Sequence, residues 1–343
     1  MSPVILFGGA SSERLVSVAS AQNVSALLPD ARCWFLSPDG PVFVTPRDTL
    51  AAHRDVFMKA FEPGVAATWP SLDAALDAPE ARGATFLLAL HGGDGENGVT
   101  QRRLEARGLA FTGSGSEASA TAFDKVRTLK LAAAKGAKVA ASRLLEVGDE
   151  AQLTQALTAL LDTAPRWVLK PRADGSSHGL FHLRSPADVA DAAKALARVR
   201  LPYLAEVFIA GRELTVGVVN GDDGATALPV SEVRLLNDGA FDYEGKYLGR
   251  NAEELTPAPI SDDERRAAQA LALLTHAAVG CFGYSRTDMI LAADGLYLLE
   301  INTLPGLTRA SFIPQQLAAA GLDPRTFLLG QLQRAQRRDR SSP

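Results

Sequence analysis

The stretch YSRTDMILAADGLYLLEINTLPGLT at residues 284–308 decides how we interpret the fold. Two apolar runs lie on either side of residues 293–295, Ala-Asp-Gly, and the glycine suits the left-handed last position of a three-residue hairpin loop. We therefore expect a β-hairpin in which Ala292 faces Leu296 across the turn.

Counting back along both strands places four polar side chains at the far end of this hairpin. Asp288 faces Glu300 and Arg286 faces Asn302, and because side chains alternate along a strand, all four share one face. Leu298 is expected on the same face, nearer the turn. A slip of one residue would divide the polar side chains between the two faces.

The paired carboxylates suggest a metal site. Two carboxylates directly opposite each other repel, so a strand pair tolerates them when a positive group lies between them. The oxygens of Asp288, Glu300 and Asn302 suit Mg²⁺, which takes few carboxylates and completes its shell with substrate phosphates. The alternative is a solvated strand face bridged by the Arg286 guanidinium.

The composition is that of an ordinary globular protein. The chain has 343 residues, of which 47% are hydrophobic and 22% charged. A chain of this length is expected to form about two or three domains. The formal net charge of −4 argues against nucleic acid as a partner of the whole chain. Only residues 334–340 are basic, and we interpret them as a solvated helix end.

The cysteines and the apolar segments bear on the compartment. Cys33 and Cys281 are too few for a disulfide framework. Residues 1–9 lack the basic region of a signal peptide, and no stretch approaches the ~20 apolar residues of a membrane span. We therefore expect a cytoplasmic protein with no membrane partner.

The N-terminal sequence predicts a strand, a glycine turn and a helix. Residues 4–7 are continuously apolar, as in a central parallel strand, and Gly8-Gly9 leads to a helix that begins near Ser11. Glu13 is expected in the first helical turn, as a helix-dipole carboxylate or as a ligand. The GxGxxG and Walker patterns are both absent, which disfavours the two common phosphate-loop folds.

A second buried strand, predicted at residues 84–90, ends in the glycine-rich run 91–98, HGGDGENG. Its glycines leave a backbone that can approach a ligand closely. His91 stands at the carboxyl end of the strand, where α/β sheets bind their ligands, although a structural role is equally compatible with its position.

Two lysines lie in segments suited to phosphate. A helix predicted at residues 116–135 carries Lys125 and ends at Gly136. Lys170 lies in a predicted strand that leads into residues 172–179, RADGSSHG, whose N–H groups and hydroxyls can bind phosphate. A flexible lid over a nucleotide and a plain surface hairpin are both compatible with this segment.

Further strands and helices follow. The carboxylate of Glu213 can hold ribose hydroxyls or remain solvated, and Ser261 and Glu264 form a capping box at the start of a long helix. The other predicted elements are strands at residues 203–209, 213–219 and 227–234, an ordered loop at 241–247, a helix end near 280 and a helix at 314–321.

Six motifs in one order make the chain resemble the D-alanine–D-alanine ligase family of ATP-grasp carboxylate–amine ligases over nearly its whole length. Each motif is weak alone, but the ordered set is highly specific. In chain order they are GGASSER at 8–14, HGGDGENG at 91–98, DK at 124–125, KPRADGSS at 170–177, DYEGKY at 242–247, and RTD at 286–288 with EINTLPG at 300–306.

This resemblance implies an α/β fold in which an N-terminal Rossmann-like α/β domain precedes a two-lobed ATP-grasp fold. The implied domains are a substrate domain at 1–113, a central lid at 114–206 and a C-terminal domain with the metal and substrate site at 207–343. The implied activity is the ATP-dependent ligation of two D-alanines through an acyl phosphate, for peptidoglycan precursors. We also expect a homodimer.

The resemblance also assigns roles to individual residues. The implied catalytic residues are Glu13, Ser176, Tyr247, Arg286 and Gly306, and the implied substrate-binding residues are His91, Lys246 and Ser311. The residues implied to bind ATP are Lys125, Lys170, Ser177, Glu206, Val207, Ile209 and Glu213. Those implied to bind two Mg²⁺ ions, with Mn²⁺ as an alternative, are Asp288, Glu300 and Asn302.

Several positions depart from the residue pattern of this family. Three alternative interpretations of the function are also considered. Asn97, Arg102 and Val207 stand where Asp, Gly and Lys are usual, and His178 replaces a Val in the lid loop. Tyr247 stands where depsipeptide-forming members carry His, which implies a preference for D-alanine over D-lactate. The rivals are a different ATP-grasp ligase, a dinucleotide-dependent oxidoreductase and a non-catalytic nucleotide-binding regulator.

Overall fold

The structure of the chain, a computed structural model, describes residues 2–175, 179–235 and 252–338. Within these ranges the strands form three sheets, and helices pack against their faces. None of the helices in the described ranges is long and apolar enough to cross a membrane.

The secondary-structure elements are numbered in chain order. The strands are β1 Ser2–Gly8, β2 Arg32–Leu36, β3 Val42–Thr45, β4 Ala84–Leu88, β5 Ala110–Phe111, β6 Ser142–Leu145, β7 Trp167–Pro171, β8 Phe181–Leu183, β9 Tyr203–Val207, β10 Arg212–Gly221, β11 Gly224–Ala227, β12 Ser231–Leu235, β13 Ala252–Leu255, β14 Tyr284–Ala292 and β15 Gly295–Asn302. The α-helices are α1 Arg14–Leu27, α2 Arg47–Ala52, α3 Leu72–Asp77, α4 Val99–Glu105, α5 Ser116–Phe123, α6 Lys125–Ala134, α7 Glu150–Leu161, α8 Pro186–Val199, α9 Asp262–Val279, α10 Phe312–Ala319 and α11 Pro324–Arg337.

The N-terminal sheet has the strand order β3-β2-β1-β4-β5. β1 lies between β2 and β4 and runs parallel to both, which confirms the predicted central parallel strand. Phe7 packs with Val24 of α1 and Leu332 of α11 on one face of the sheet, so the last helix of the chain is anchored on the N-terminal sheet. This packing brings the loops at the carboxyl end of the sheet close to the C-terminal part of the chain.

The C-terminal sheet has the strand order β13-β12-β10-β14-β15, with β11 paired to β10. Its buried face, which includes Val216 and Met289, packs against apolar residues of α9 such as Ala272. The capping box at the start of α9 is present as predicted, because Ser261 accepts a hydrogen bond from the Glu264 N–H and Glu264 accepts one from the Ser261 N–H. The other face of this sheet is open to the candidate site.

The predicted register of the central hairpin is right at its polar end and wrong at its turn. Asp288 pairs with Glu300 as predicted, and Arg286 with Asn302. At the turn, however, Ala292 pairs with Gly295 rather than with Leu296, so the connection has two residues instead of three.

A β-bulge reconciles the two ends of the hairpin. Asp288 pairs with Glu300 and the next residue, Met289, pairs with Leu298, so Leu299 is the extra residue on its strand. Leu298 is fully buried in the core beside Met289, and its predicted place on the polar face is wrong. The bulge shifts the pairing by one residue and so restores the alignment of the polar side chains.

The central part of the chain folds as a small sheet covered by two helices. The strand order is β6-β9-β7-β8, and all pairs are antiparallel. Leu157 of α7 and Ala192 of α8 pack with Leu169 of β7 in one apolar core. The predicted start of α8 is confirmed, since Ser185 caps the helix and Pro186 is its first residue.

The helix predicted at 116–135 is in fact two helices, α5 and α6, which meet at Asp124. The Asp124 carboxylate accepts hydrogen bonds from the N–H groups of Val126 and Arg127, and so caps α6. Arg172 also binds this carboxylate, with a hydrogen bond of 2.6 Å from Nη2. Lys125 is therefore the first residue of a helix rather than a residue in the middle of one.

Other predicted boundaries need smaller corrections. The predicted strand at 227–234 is divided between β11 and β12, and the strand at 84–90 ends at Leu88. The predicted helix at 314–321 begins at Phe312. Glu13 lies at the N-cap position just before α1 and not within its first turn.

Candidate active site

A cavity lies between the loops of the N-terminal sheet and the open face of the C-terminal sheet. It is lined by side chains from widely separated parts of the sequence, which include Glu13, His91, Lys125, Arg286 and Ser311. A smaller cavity beside it shares part of this lining and adds Lys170. The fold thus collects most of the described residues that the sequence singled out at one place.

The two facing carboxylates of the hairpin are each paired with a cation. Arg286 donates to Asp288 Oδ1 from Nε at 2.9 Å and to Oδ2 from Nη2 at 2.8 Å. Thr215 donates to Asp288 Oδ1 at 2.5 Å. Lys125 Nζ lies 3.2 Å from Glu300 Oε2. The repulsion expected from the strand register is therefore balanced within the protein.

These residues fit a metal ion that takes part of its shell from a ligand. The described residues contain no group of three or more His, Cys, Asp and Glu side chains that could hold a metal. Asp288 and Glu300 do provide two facing carboxylates, and Asn302 adds an amide oxygen that accepts a hydrogen bond from the Leu304 N–H at 2.9 Å. One or two carboxylates completed by phosphates is the usual arrangement for Mg²⁺.

Lys125 is held near the start of the glycine-rich loop. Its Nζ donates to the Asp174 carbonyl at 2.6 Å, and its backbone N–H donates to the Arg172 carbonyl at 3.0 Å. The smaller cavity is lined by Lys125 and Lys170 together with Asp288 and Glu300. Two ammonium groups beside two carboxylates can hold a phosphate chain and its metal.

Lys170 forms a buried ion pair with Glu206 of the neighbouring strand. Burial alone would lower the pKa of Lys170, but the carboxylates of Glu206, Glu300 and Glu213 raise it above its ordinary value. Glu206 Oε1 is buried and accepts no hydrogen bond from the residues that the structure describes. This oxygen fits a ligand that donates a hydrogen bond, as the amino group of a nucleotide base does.

Val207 and Ile209 follow Glu206 and are both half-buried. The Val207 N–H donates to the Ala141 carbonyl at 2.9 Å, so it is used within the fold. The two cavities described above are not lined by Val207, Ile209 or Glu206, whereas Glu213 lines both of them. The structure therefore brings Glu213 to the cavities but leaves the other three to one side.

His91 holds the loop that follows the central hairpin. Its Nδ1 lies 2.9 Å from the Leu304 carbonyl, which can only accept, so Nδ1 carries the proton. Ser20 therefore donates to Nε2 at 2.8 Å, and its hydroxyl accepts from the Leu307 N–H at 3.2 Å. Burial lowers the pKa of His91, although the nearby Glu13 carboxylate opposes this effect. A neutral imidazole thus ties the N-terminal domain to residues 304–307.

Glu13 is enclosed by two glycine-rich loops. A Cβ atom at Gly92 would lie 2.7 Å from Glu13 Oε2, and one at Gly175 would lie 3.1 Å from it. Gly92 also has a positive φ of 64°, which L side chains rarely adopt. The close backbone approach predicted from the glycine content therefore serves to surround the Glu13 carboxylate.

Glu96 lies in the same cavity, and the sequence reasoning did not select it. Burial, with a smaller contribution from the Glu13 carboxylate, raises the pKa of Glu96 to about 8. Its Oε1 lies 3.9 Å from His91 Nδ1. The signal that could have identified this residue is its place within the glycine-rich run 91–98, five residues after His91.

Gly306 and Ser311 adjoin each other at the C-terminal end of the cavity. A Cβ atom at Gly306 would lie 2.6 Å from Ser311 Oγ, so the residue must be small here. Ser311 Oγ accepts a hydrogen bond from the Thr308 N–H at 3.2 Å. Both residues line the cavity together with Arg286. A hydroxyl, a backbone N–H and a guanidinium are thus available to bind anionic oxygens.

Some of the predicted site residues lie outside the described residues, and some residues that line the cavity were not predicted. Ser176, Ser177, Lys246 and Tyr247 lie outside the described residues, as does His178. Among the lining residues that the sequence did not single out are Phe57, Glu96, Thr215 and Glu254. Apart from Glu96, none of these lies in a recognisable motif.

Solved structures share this architecture. The VanG D-Ala:D-Ser ligase from Enterococcus faecalis matches 97% of this chain and 99% of its own with a TM-score of 0.78 at 24% identity. The D-alanine-D-alanine ligase from Coxiella burnetii matches 98% of this chain and 93% of its own with a TM-score of 0.79 at 24% identity. The chain therefore has the ATP-grasp fold of these ligases, as predicted.

The sequence comparisons define the family more closely. Two family models, D-ala D-ala ligase N-terminus and D-ala D-ala ligase C-terminus, match residues 3–114 and 138–332. The D-alanine--D-alanine ligase of Leptospira interrogans is 32% identical over 335 residues and that of Desulforudis audaxviator 34% over 319, each match covering 93% of both chains. The chain belongs to the D-alanine–D-alanine ligase family.

Proposed function

We propose that this protein joins two D-alanine molecules to D-alanyl-D-alanine, with consumption of ATP and release of ADP and phosphate. Members of this family supply the dipeptide for peptidoglycan precursors. The observation that carries the proposal is the single cavity in which Glu13, Lys125, Arg286 and the facing pair Asp288 and Glu300 meet. Because the reaction uses ATP, we place it in the cytoplasm.

The first step is a phosphoryl transfer. A carboxylate oxygen of the first D-alanine attacks the γ-phosphorus of ATP, the bond to the β-phosphate oxygen breaks, and an acyl phosphate and ADP result. Lys125 and Lys170, which line the smaller cavity, hold the phosphates and spread their charge. Ser177, which lies outside the described residues, is proposed to donate to the same phosphates.

Asp288, Glu300 and Asn302 are proposed to hold two Mg²⁺ ions. Metal ions held by these residues would neutralise phosphate charge and align the transferred group. Arg286 and Lys125 already pair with the carboxylates, so these cations must share them or shift towards the substrate when a metal binds. Arg286 would then face the acyl group as well as Asp288.

The second step forms the peptide bond. The amine of the second D-alanine attacks the acyl carbon, and the carbon–oxygen bond to phosphate breaks. Arg286 and the Gly306 N–H are proposed to stabilise the negative oxygen of the tetrahedral intermediate. Exclusion of water from this cavity is proposed to protect the acyl phosphate from hydrolysis.

The substrates are proposed to be held at both ends of the cavity. Glu13 binds the ammonium of the first D-alanine, with His91 behind it as the residue that positions the 304–307 loop. Ser311, together with Lys246, binds the carboxylate of the second D-alanine. Ser176 and Tyr247 are proposed to complete the enclosure of the first substrate beside Glu13.

The nucleotide is proposed to lie between the central and C-terminal parts of the chain. Glu206 accepts a hydrogen bond from the adenine amino group through its buried Oε1, and Glu213 binds the ribose. Val207 and Ile209 are proposed to line the base after the lid closes. The proposed domains remain 1–113, 114–206 and 207–343, and the proposed assembly is a homodimer.

An assay of ADP and phosphate release separates this function from its rivals. Release that requires D-alanine, and that L-alanine and D-lactate do not support, is the expected result. Turnover with another acid and amine would favour a different ATP-grasp ligase. Binding of ATP without turnover under any of these conditions would favour a regulator.

A further inference from the structure

A carboxyl group that no motif contains, that of Glu254, also reaches the cavity. Glu254 lies on β13 and pairs with Val233 of β12, and both side chains line the cavity. Glu254 is half-buried, and its Oε2 accepts a hydrogen bond from Gln315 Nε2 at 2.6 Å. The side chain is therefore fixed in one orientation by a neutral donor.

Gln315 connects Glu254 to the proposed binding site for the second substrate. The same Nε2 donates to the Ala310 carbonyl at 2.6 Å, and the Gln315 backbone N–H donates to the Ser311 carbonyl at 3.2 Å. Glu254 is thus one side chain away from Ser311. In an α-amino acid the ammonium and the carboxylate are attached to the same carbon, so the groups that bind them must lie within a few ångströms of each other.

The reaction brings two ammonium groups into one cavity, and each needs an acceptor when it leaves water. Asp288 is bound by Arg286 through both oxygens, and Glu300 is paired with Lys125. These two carboxylates are therefore already paired with cations of the protein. A metal ion would compete with a substrate ammonium group for the same carboxylates.

The other carboxyl groups that line the cavity are those of Glu13, Glu96, Asp174, Glu213 and Glu254. Asp174 accepts a hydrogen bond from the Gly175 N–H at 2.8 Å within the glycine-rich loop, and Glu213 is proposed above to bind the ribose. The pKa of Glu96 is raised to about 8 by burial, so this group is mostly protonated at neutral pH. Glu13 lies on the N-terminal side, between the loops that contain Gly92 and Gly175. Glu254 belongs to the C-terminal sheet and is joined to the loop that ends at Ser311.

We propose that Glu254 binds the ammonium group of the second D-alanine and accepts the proton that this group loses before it attacks. The inference rests on the proposed function and names a further residue for its second step. One proton passes from –NH₃⁺ to the carboxylate, and the resulting –NH₂ forms the N–C bond while the C–O bond to phosphate breaks. The second proton leaves the nitrogen with the departing phosphate.

The charges around Glu254 suit this role. Burial raises the pKa of Glu254, while the Gln315 hydrogen bond and the Arg286 charge oppose that effect. A carboxyl group with a raised pKa accepts a proton more readily than one in water. A fixed carboxylate also attracts an ammonium but gives no such advantage to the hydroxyl of D-lactate, so Glu254 favours an amine as the second substrate.

The test compares Glu254→Gln with Glu253→Gln. The amide of Glu254→Gln can still accept the hydrogen bond from Gln315, so the change removes charge and keeps the contact. Glu253 is the exposed neighbour on the same strand and provides the matched control. Both variants and the wild type are assayed for acyl phosphate, trapped by hydroxylamine as the hydroxamate, and for the KM of the second D-alanine.

We expect Glu254→Gln to form hydroxamate at the wild-type rate, to raise the KM of the second D-alanine by about tenfold, and to raise the ratio of D-alanyl-D-lactate to D-alanyl-D-alanine by about as much. Glu253→Gln should match the wild type in all three measurements. A Glu254→Gln variant with the KM and product ratio of the control would overturn the inference and leave the proposed function intact. A wild type that forms neither hydroxamate nor dipeptide would overturn both.

Discussion

Arg286 donates to both carboxylate oxygens of Asp288, at 2.9 Å from Nε and 2.8 Å from Nη2. On the facing strand, Glu300 Oε2 lies 3.2 Å from Lys125 Nζ. The two carboxylates that the hairpin register sets against each other are therefore balanced by two cations from different parts of the sequence. Changing any of the four therefore removes one charge of an ion pair in this cavity.

Glu300→Gln should abolish turnover and also weaken the fold. From the register alone, relief of repulsion would make this change stabilising, but Lys125 would lose its carboxylate partner while still buried. We expect kcat to fall about 100-fold or more, which corresponds to about 3 kcal/mol of lost transition-state stabilisation. The free energy of unfolding should fall by about 1–2 kcal/mol, measured by urea denaturation.

Glu117→Gln provides the control for this change. Glu117 pairs with Arg127 on an exposed surface, where ion pairs contribute about 0–1 kcal/mol. Near wild-type activity of Glu300→Gln across a Mg²⁺ titration would show that Glu300 does not bind the metal.

The buried pair of Lys170 and Glu206 should show strong coupling in a double-mutant cycle. Lys170→Met leaves the Glu206 carboxylate buried without its cation, which costs about 3 kcal/mol of stability. Adding Glu206→Gln removes that charge, so the double variant should lose less than the two single changes together. The exposed pair of Lys138 and Asp294 serves as the control cycle. Additive effects at Lys170 and Glu206 would contradict the pairing.

Glu96 should make stability depend on pH. Because burial raises the pKa of Glu96 from 4.5 to about 8, the folded protein holds a proton there that the unfolded chain releases. Its contribution is complete below about pH 4.5 and is lost as the pH rises towards 8. We expect the Tm advantage of wild type over Glu96→Gln to shrink between pH 5 and pH 8. Glu62→Gln, an exposed control, should follow the wild type, and parallel curves for Glu96→Gln would refute the assignment.

Phe57 should limit the size of the substrate side chain. It lines the cavity from the connection between α2 and α3, which Phe61 anchors in the core. Phe57→Ala should raise kcat/KM for D-2-aminobutyrate relative to D-alanine by about tenfold, since a pocket discriminates one methylene by roughly that factor. Met58, which is 71% exposed, gives the control Met58→Ala. Equal ratios for the two variants would show that Phe57 does not bound the substrate.

The sequence was sufficient for the features that follow from periodicity and capping. Alternation along the hairpin placed Asp288 opposite Glu300, and the Ser261 capping box located the start of α9. The bulge could not be predicted, because Leu298 and Leu299 are the same residue type and the pattern does not say which one is extra. The turn was therefore placed one residue away from its actual position.

Long-range contacts account for the other differences. The break between α5 and α6 occurs at Asp124, which caps α6 and is also bound by Arg172, a residue 48 positions away in the sequence. Phe57 and Glu254 line the cavity because the tertiary fold places the connection between α2 and α3, and strand β13, beside it. Neither residue lies in a local sequence motif that would have identified it. The site motifs were recognisable because their residue types and order are specific, whereas single lining residues are not.

The transfer of oxygen from D-alanine to phosphate tests the central claim most directly. The account holds that the carboxylate of the first D-alanine attacks the γ-phosphorus of ATP, so its oxygen leaves with the phosphate when the amine displaces it. With D-alanine labelled by ¹⁸O in the carboxylate, mass spectrometry should find a single ¹⁸O atom in each phosphate released, together with D-alanyl-D-alanine. Phosphate released without ¹⁸O while ATP is consumed would contradict the acyl phosphate route.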